Sequence, residues 1–335
     1  SYKTGRWVEV AISSDGSYIA ARSDYKVYLF DREGNLLWNK SCGEYIAAGI
    51  YDKVNSVSIS LDGSYIAAGN RYGKVYLFDR EGNLLWSHET DGVGVSVSIS
   101  SDGSYIAAES YDKVYLFDRE GNLLWNKSCG WNVNSVSISS DGSYIAAGRE
   151  YGKVYLFDRK GNLLWSYKTG GGDVWSVSIS SDGSCIAAGS WDDKVYLFDR
   201  EGNLLWSYKT GGWVVSVAIS SDGSYIAAGS EDGKVYLFDR EGNLLWSYKG
   251  SWEFILINSV SITPNGEYIA VGSYCYNKGY ITSGRGVVYL FASEHAVHVI
   301  IEEARNAILL EKSKGYNMQE AESLLTQAEN EFKAG

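Results

Sequence analysis

Seven copies of one segment of roughly 40 residues constrain the fold of this chain more than any other feature. Each copy carries an Asp-Gly or Asn-Gly turn, and the first residue of that turn falls at Asp15, Asp62, Asp102, Asp141, Asp182, Asp222 and Asn265. Successive turns are therefore 47, 40, 39, 41, 40 and 43 residues apart. A period of about 40 residues built from short strands is that of a four-stranded propeller blade.

Each unit contains four segments with strand composition. In the second unit they are "VNSVSIS" (54–60), "SYIAAG" (64–69), "KVYLFD" (74–79) and "NLLWS" (83–87). Val, Ile, Tyr and Phe favour strands, and the intervening "LDGS" and "DREGN" supply turn residues. The sequence predicts an all-β fold, a seven-bladed β-propeller of four-stranded antiparallel blades over residues 1–292.

The repeat also carries a resemblance to known propellers. The string "VxSVSISSDGSYIAAGS-DGKVYLFD" resembles a WD-repeat, with Phe30-Asp31 where that family usually has Trp-Asp. "LFDREGNLLWSYKTGG" resembles the Trp-bearing repeat of quinoprotein-type propellers, and together the two strings are similar to archaeal seven-bladed propeller proteins of mixed character. The Gly-His pair of typical WD-repeats is missing, so their buried His–Asp network is not expected. Seven units without an adjacent Cys-Cys pair argue against a quinoprotein dehydrogenase.

The seventh unit lacks the "GNLLW" segment, which leaves the closure of the ring open to three interpretations. The chain begins with "SYKTG", the string that follows Trp165 and Trp206 in complete units. Ser1 to Lys3 could supply a short fourth strand to blade seven and remove two open edges. Alternatively, the chain begins in the middle of a repeat, or a neighbouring molecule supplies the strand.

Comparison of the seven copies shows where they differ. The "SDGS" and "DREGN" turns barely change, whereas the loops before the first strand and between the second and third strands change greatly. Antiparallel connectivity places these two variable loops on one face. Flat aromatic rings on such loops favour ligand binding, and the predicted binding residues are Tyr72, Tyr111, Trp131, Tyr151, Trp175, Trp191, Trp213 and Trp252. The alternative for any one of them is packing over a blade end.

A second set of tryptophans occupies one fixed position in every complete unit. They are predicted to lock neighbouring blades together, and they are Trp38, Trp86, Trp125, Trp165, Trp206 and Trp246.

Charge and composition limit the possible partners. The chain has 30 Lys and Arg against 41 Asp and Glu, a formal net charge of −11. A general nucleic-acid or anionic-membrane binder needs the opposite sign. No run of 18 apolar residues is present, so direct membrane insertion of this segment is not expected.

Catalytic patterns are scarce. The chain has three His residues, and His295, His298 and Glu302 could share a helix face as metal ligands, although solvated helix residues explain them better. No phosphate-binding glycine loop, zinc spacing or Ser–His–Asp pattern occurs. We therefore expect no enzyme activity and no cofactor, with a quinone- or metal-dependent enzyme using an axial site as the alternative.

The pattern changes to a helical period after Phe291. Two apolar stripes separated by Gly315 predict an α-helical hairpin over residues 293–335, and "EAESLLTQAENEFKAG" resembles tetratricopeptide-like tails. The hairpin could cover the open side of blade seven or act as a docking or oligomerisation element.

Two glycosylation sequons begin at Asn39 and Asn126. They favour a location outside the cell or at an archaeal cell surface, with the cytoplasm as the alternative. Cys42, Cys129, Cys185 and Cys275 are not expected to form disulfides, and Cys185 should be buried because it replaces a strand Tyr.

The sequence predicts a non-enzymatic binding scaffold. Its partner would be a protein, a peptide or a surface glycan on the variable loops. A self-assembling structural component, joined through the open blade or the helical tail, is the remaining alternative.

Overall fold

Consecutive four-stranded antiparallel sheets form the fold. The computed structural model describes residues 8–43, 45–47, 50–51, 53–249, 255–275 and 285–292, together with Thr326. Over these residues there are six four-stranded sheets, one three-stranded sheet and one two-stranded sheet. Each of the seven larger sheets is one blade, and its strands are hydrogen-bonded in chain order. About six full blades and a partial seventh therefore confirm the predicted propeller architecture.

Blades one to three follow the repeat boundaries read from the sequence. Their strands, with the small extra sheet of β5 and β6 between blades one and two, are β1 (Val8–Ile12), β2 (Tyr18–Ser23), β3 (Lys26–Asp31), β4 (Leu36–Ser41), β5 (Tyr45–Ala47), β6 (Ile50–Tyr51), β7 (Val54–Ile59), β8 (Tyr65–Asn70), β9 (Lys74–Asp79), β10 (Leu84–Glu89), β11 (Ser96–Ile99), β12 (Tyr105–Ser110), β13 (Lys113–Asp118) and β14 (Leu123–Ser128).

Blades four to seven repeat the same order, and three strands of blade seven are described. These strands are β15 (Val133–Ile138), β16 (Tyr144–Arg149), β17 (Lys153–Asp158), β18 (Leu163–Lys168), β19 (Val174–Ile179), β20 (Cys185–Ser190), β21 (Lys194–Asp199), β22 (Leu204–Lys209), β23 (Val214–Ile219), β24 (Tyr225–Ser230), β25 (Lys234–Asp239), β26 (Leu244–Lys249), β27 (Ile255–Ile262), β28 (Tyr268–Cys275) and β29 (Arg285–Ala292).

The first strand of each blade is innermost, because the first strands of consecutive blades lie side by side. An inner strand would leave backbone N–H groups unpaired on its free edge, and a serine of the preceding blade accepts from them. The Val217 N–H donates to Ser176 Oγ at 3.0 Å, and the Ile219 N–H donates to Ser178 Oγ at 3.3 Å. The serines of "SVSIS" therefore join neighbouring blades.

The repeated tryptophans also join blades, as predicted. The Trp125 Nε1–H donates to the Arg159 carbonyl of the next blade at 2.8 Å, and its ring lies 5.8 Å from that of Phe157. Trp38, Trp86, Trp165 and Trp206 make the same hydrogen bond to the next blade. Buried aliphatic and aromatic side chains between consecutive blades form the core, one cluster for each interface.

The unchanging "SDGS" turns lie together on one face, which we call the turn face. The Ser101 N–H donates to the Ser140 carbonyl at 2.9 Å, and the Ser140 N–H donates to the Ser181 carbonyl at 3.0 Å, so successive blades are linked through their turns. Across another blade interface, the Arg119 guanidinium lies 4.6 Å from the Tyr65 ring centroid. The turns do not vary because their side chains and backbone conformation are also needed: Asp141 Oδ1 accepts from the Ser143 N–H at 2.9 Å, and Gly142 has φ +70°.

The described residues do not show how blades seven and one meet. Val10 of β1 is 54% exposed, whereas Val97, at the same position of blade three, is 6% exposed. Ser1 to Lys3, the predicted closing strand, lies outside the described residues. The predicted helical hairpin also lies outside them, except for Thr326.

Among the described residues, Cys42, Cys129 and Cys185 are buried and form no disulfide bond, and the burial predicted for Cys185 is confirmed. Burial raises the pKa of Cys129 to about 12. Burial also raises the pKa of Cys185 above its usual value, so the thiols of Cys129 and Cys185 stay protonated at neutral pH.

Candidate functional site

The two kinds of variable loop meet on one face, as predicted, and we call it the variable face. In blade five the Trp191 N–H donates to the Asp173 carbonyl at 2.9 Å, and in blade six the Glu231 N–H donates to the Trp213 carbonyl at 2.8 Å. Each bond joins the loop between the second and third strands to the residue before the first strand. The variable face is thus held by the backbone, while its side chains are free to differ.

Trp175 lies within β19 rather than in the preceding loop, where the sequence placed it. The register of β19 against β20 shifts between Val174 and Ser176, so Trp175 is the extra residue of a β-bulge. A bulge redirects a side chain without ending the strand. Equivalent shifts occur in β7, β15, β23 and β27, but only blade five has an aromatic residue there.

Three tryptophans of the variable face form a continuous stack across blades five and six. The Trp191 ring centroid lies 4.8 Å from that of Trp175 and 4.6 Å from that of Trp213, with an interplanar angle of 16° in both pairs. Trp175 is 42% exposed and Trp213 is 43% exposed. The stack therefore presents two large aromatic surfaces to solvent with the middle ring held between them.

Blade four adds a second aromatic pair beside the stack. Trp131 and Tyr151 meet edge to face at 5.0 Å between centroids, and both are exposed. The Tyr151 N–H donates to Asp173 Oδ1 of blade five at 2.8 Å. This bond fixes the pair against the blade that carries Trp175.

Two exposed tyrosines on this face have left-handed backbone conformations. Tyr111 has φ +54° and Tyr151 has φ +60°. A bulky residue in this region costs about 1–3 kcal/mol, and such residues cluster at functional sites. Asp24 and Asp193, in the corresponding turns of blades one and five, share this conformation, so it belongs to the turn between the second and third strands.

The remaining predicted site residues are separated from the stack or not described. Tyr72 is exposed on blade two, and Tyr111 lies on blade three. Trp252 lies outside the described residues. The structure therefore brings together five predicted residues, Trp131, Tyr151, Trp175, Trp191 and Trp213.

Carboxylates beneath the stack are committed to the loops that carry it. Asp192 Oδ2 accepts from the Tyr196 hydroxyl at 2.5 Å, and Asp232 Oδ2 accepts from the Tyr236 hydroxyl at 2.5 Å. Burial, followed by the hydrogen bond to Asp192, raises the pKa of Tyr196. These hydroxyls therefore stay protonated and donate at neutral pH.

Two buried polar atoms next to the stack have no hydrogen-bond partner in the described part of the chain. They are Trp191 Nε1 and Asp192 Oδ1. Unpaired buried polar atoms are uncommon in folded proteins and call for a structural or functional explanation.

No group of three or more His, Cys, Asp or Glu side chains within the described ranges could hold a metal ion. Likewise, none of the helical structure described there is long and apolar enough to span a membrane.

Sequence reasoning missed a pocket on the same face between blades two and three. Its volume is about 480 Å³, and it is lined by Lys53, Asn55, Arg71, Tyr72, Val93 and Gly94. Comparison of the repeats could have indicated this pocket, because the two hydrogen-bonded loop positions of the second unit are both basic, Lys53 and Arg71.

The fold and the variable face define a WD-repeat-like β-propeller. Residues 6–281 match the family model described as "IFT122 first beta-propeller", and the chain belongs to that family. A search of curated proteins found no match.

The chain is also similar to a solved structure. It resembles the crystal structure of the Cps50 (Swd1) β-propeller domain of Myceliophteria thermophila at 17% identity and a TM-score of 0.66, over 81% of this chain and 93% of that one. At this identity the likeness concerns the fold. WD-repeat propellers typically serve as protein-interaction scaffolds and are generally non-enzymatic. The archaeal and quinoprotein-type resemblances stay predictions.

Proposed function

We propose that the variable face is a protein-binding surface with the stack of Trp175, Trp191 and Trp213 at its centre. The observation that carries the proposal is that three large aromatic rings stack on one another at the surface. Tryptophan is enriched among the residues that contribute most to binding energy at protein interfaces. Rings that are already ordered lose little conformational freedom on binding.

Contrast with the interblade tryptophans supports this interpretation. The Trp125 indole N–H is bonded to the next blade and its ring packs on Phe157. Trp175 and Trp213 instead contact Trp191 and leave roughly two-fifths of their surface in water. Exposing a contiguous apolar patch is uncommon in a monomer unless the patch binds something.

The partner that this surface suits is a protein or peptide segment with apolar or planar side chains. Aromatic surfaces of this kind also stack on sugars, so a glycan is an outcome that the experiment must distinguish. The test is to screen the intact protein against peptide and glycan arrays and then to measure the best ligand by calorimetry. The variant for comparison is Trp131→Ala/Trp175→Ala/Trp213→Ala.

We expect the triple variant to lose peptide binding while its melting temperature stays near that of the wild type. The matched control is Leu164→Ala/Leu205→Ala, which removes similarly exposed apolar side chains from β18 and β22. This control should keep binding. Collapse of the melting temperature in the triple variant would show that the aromatic rings support the fold, and binding to glycans alone would redirect the proposal to carbohydrates.

Self-association through blade one is a second candidate, favoured by one observation. Val10 and Ile12 of β1 are exposed, whereas Val97 and Ile99 of β11 are buried. Another copy of the chain covering these side chains would bury them. The test is light scattering of the wild type, of Val10→Ser/Ile12→Ser and of a chain ending at residue 292. An oligomeric wild type and a monomeric Val10→Ser/Ile12→Ser variant would support self-association through blade one. A wild type that is monomeric at every concentration would reject it.

A location at the cell surface belongs to the same proposal. Asn39 and Asn126 are exposed on the outermost strands β4 and β14, where a glycan could be attached. Mass spectrometry of protein from its native source should find both sequons modified. Unmodified sequons would favour the cytoplasm.

A further inference from the structure

The pocket between blades two and three is lined by two cationic side chains whose backbones are hydrogen-bonded to each other. The Arg71 N–H donates to the Lys53 carbonyl at 2.8 Å, and both side chains line the pocket. The same backbone bond joins Glu150 to Asn132 in blade four, at 2.9 Å. There the Asn132 amide also donates to Glu150 Oε1 at 3.0 Å, so the two side chains satisfy each other. Blade two has two like charges at these positions instead.

Nearby carboxylates are already engaged by other lysines. Glu89 pairs with Lys74 at 3.2 Å, and Asp91 pairs with Lys113 at 2.6 Å. In the described part of the chain, no hydrogen bond or ion pair engages the side chain of Lys53 or Arg71. Because both cations line one pocket, an anion bound there would be attracted by each of them. Their presence is notable because the chain as a whole carries a net charge of −11.

The rest of the pocket combines hydrogen bonding with an apolar wall. Asn55 is the bulge residue of β7, so its amide faces the pocket from the inner strand. Tyr72 and Val93 are exposed and form the opposite side. The Gly94 N–H donates to the Arg71 carbonyl at 2.7 Å, which holds the start of blade three against the loop of blade two. A volume of about 480 Å³ accommodates a side chain or two of a partner.

We propose that this pocket binds a carboxylate of an acidic peptide segment, with Lys53 and Arg71 as the recognising cations and Tyr72 and Val93 packing on the aliphatic part of the acidic residue. Arg presents a planar fork of donors that matches a carboxylate, and Lys adds a point charge. The apolar wall favours a carboxylate on a carbon chain over an inorganic anion. The proposal rests on the proposed function, since it names the partner chemistry for one sector of the protein-binding face.

The test measures fluorescence anisotropy of a fluorescein-labelled hexaglutamate amide titrated with the intact protein at low ionic strength. The wild-type protein is compared with the pocket variant Lys53→Gln/Arg71→Gln and with the control variant Lys168→Gln/Lys209→Gln. The control makes the same change in charge at exposed lysines on β18 and β22. A charge-assisted hydrogen bond contributes about 1.5–3 kcal/mol, so the pocket variant should bind at least about tenfold more weakly. The control should bind like the wild type.

Three results would overturn the proposal: no binding by the wild type, equal weakening in pocket and control variants, or complete displacement of the peptide by millimolar inorganic phosphate. The last would assign the pocket to a small anion. Neither wild-type binding nor phosphate competition depends on a variant that must fold.

The triple tryptophan variant separates this proposal from the proposed function. It should bind hexaglutamate normally, because the stack lies on blades five and six. If the pocket variants have no effect while the tryptophan variant loses its array ligand, the acidic-peptide assignment is wrong and the binding face stands. If only the pocket variants lose binding, the aromatic stack is not the centre of the face.

Discussion

Replacing Glu109 should stabilise the protein, because this carboxyl is buried without adequate compensation. It lies in β12 at a position where five other blades have glycine: Gly69, Gly148, Gly189, Gly229 and Gly272. Glu109 is 4% exposed, its Oε1 accepts from the Ser96 N–H at 3.2 Å, and its Oε2 has no partner among the described residues. Burial raises the pKa of Glu109 well above 4.5.

The sign of the pH dependence follows from that shift. Between pH 4.5 and the raised pKa, the folded protein retains a proton that the unfolded chain has released, so the free energy of unfolding falls as the pH rises. Glu109→Gln removes the charge and keeps an oxygen for the Ser96 N–H. The Gln amide nitrogen stays unpaired like Oε2, so the gain comes only from removing the buried charge. Because a buried charge costs more than a buried neutral polar group, we expect a gain of about 1–3 kcal/mol at neutral to alkaline pH.

The assay is thermal unfolding of the wild type and of Glu109→Gln at about pH 5 and about pH 8. The gain should be large at the higher pH and small at the lower. Glu120→Gln, an exposed glutamate of the same blade, is the matched control and should change neither value. A gain that is the same at both pH values, or no gain at all, would refute the reasoning that a buried charge is the cause.

Three further outcomes follow from contacts made at repeated positions of the blades. Trp125→Phe removes the indole N–H that bonds to the next blade and should cost about 1 kcal/mol in urea unfolding, whereas Trp131→Phe should cost almost nothing. Cys185→Tyr restores the ring that the equivalent Tyr144 offers to Arg200, and it should raise the free energy of unfolding by about 0.5–1 kcal/mol. A lower melting temperature than that of the wild type would contradict this. Burial raises the pKa of Asp141, but hydrogen bonds from Ser143 and Ser139 outweigh it, and the pKa lies below 3.8. The contribution of Asp141 to the free energy of unfolding should therefore be present above pH 3.8 and disappear as the pH falls through the lowered pKa. Acid-unfolding curves of Asp141→Asn should lack that dependence.

The repeat carried most of the information about the fold. A strand pairs with its sequence neighbour in every blade, so local pattern and turn residues were sufficient to place strands and blades. The role of Trp125 and its equivalents was also predictable, since a residue kept in every copy must serve a contact that every copy makes. The meeting of blades seven and one was not predictable in this way, because the seventh copy is incomplete.

The binding face was predictable only as a face. Antiparallel connectivity alone places the variable loops on the same side, and the sequence therefore assigned Trp175, Trp191 and Trp213 to that face together with five other aromatic residues. Their stacking depends on a bulge in β19 and on how two blades meet, and neither is a property of one repeat. Glu109 and the pair of Lys53 and Arg71 were visible as departures from the repeat, but their meaning was not.

The sequence by itself determined the blade, its four strands and the face on which the copies differ, because those follow from short-range periodicity and chain connectivity. Only the tertiary structure decided which aromatic rings touch, which carboxyl is buried and which cations line one pocket. Such contacts form between residues far apart in the chain or in different blades, where distance and solvent exclusion, rather than sequence spacing, set the energy.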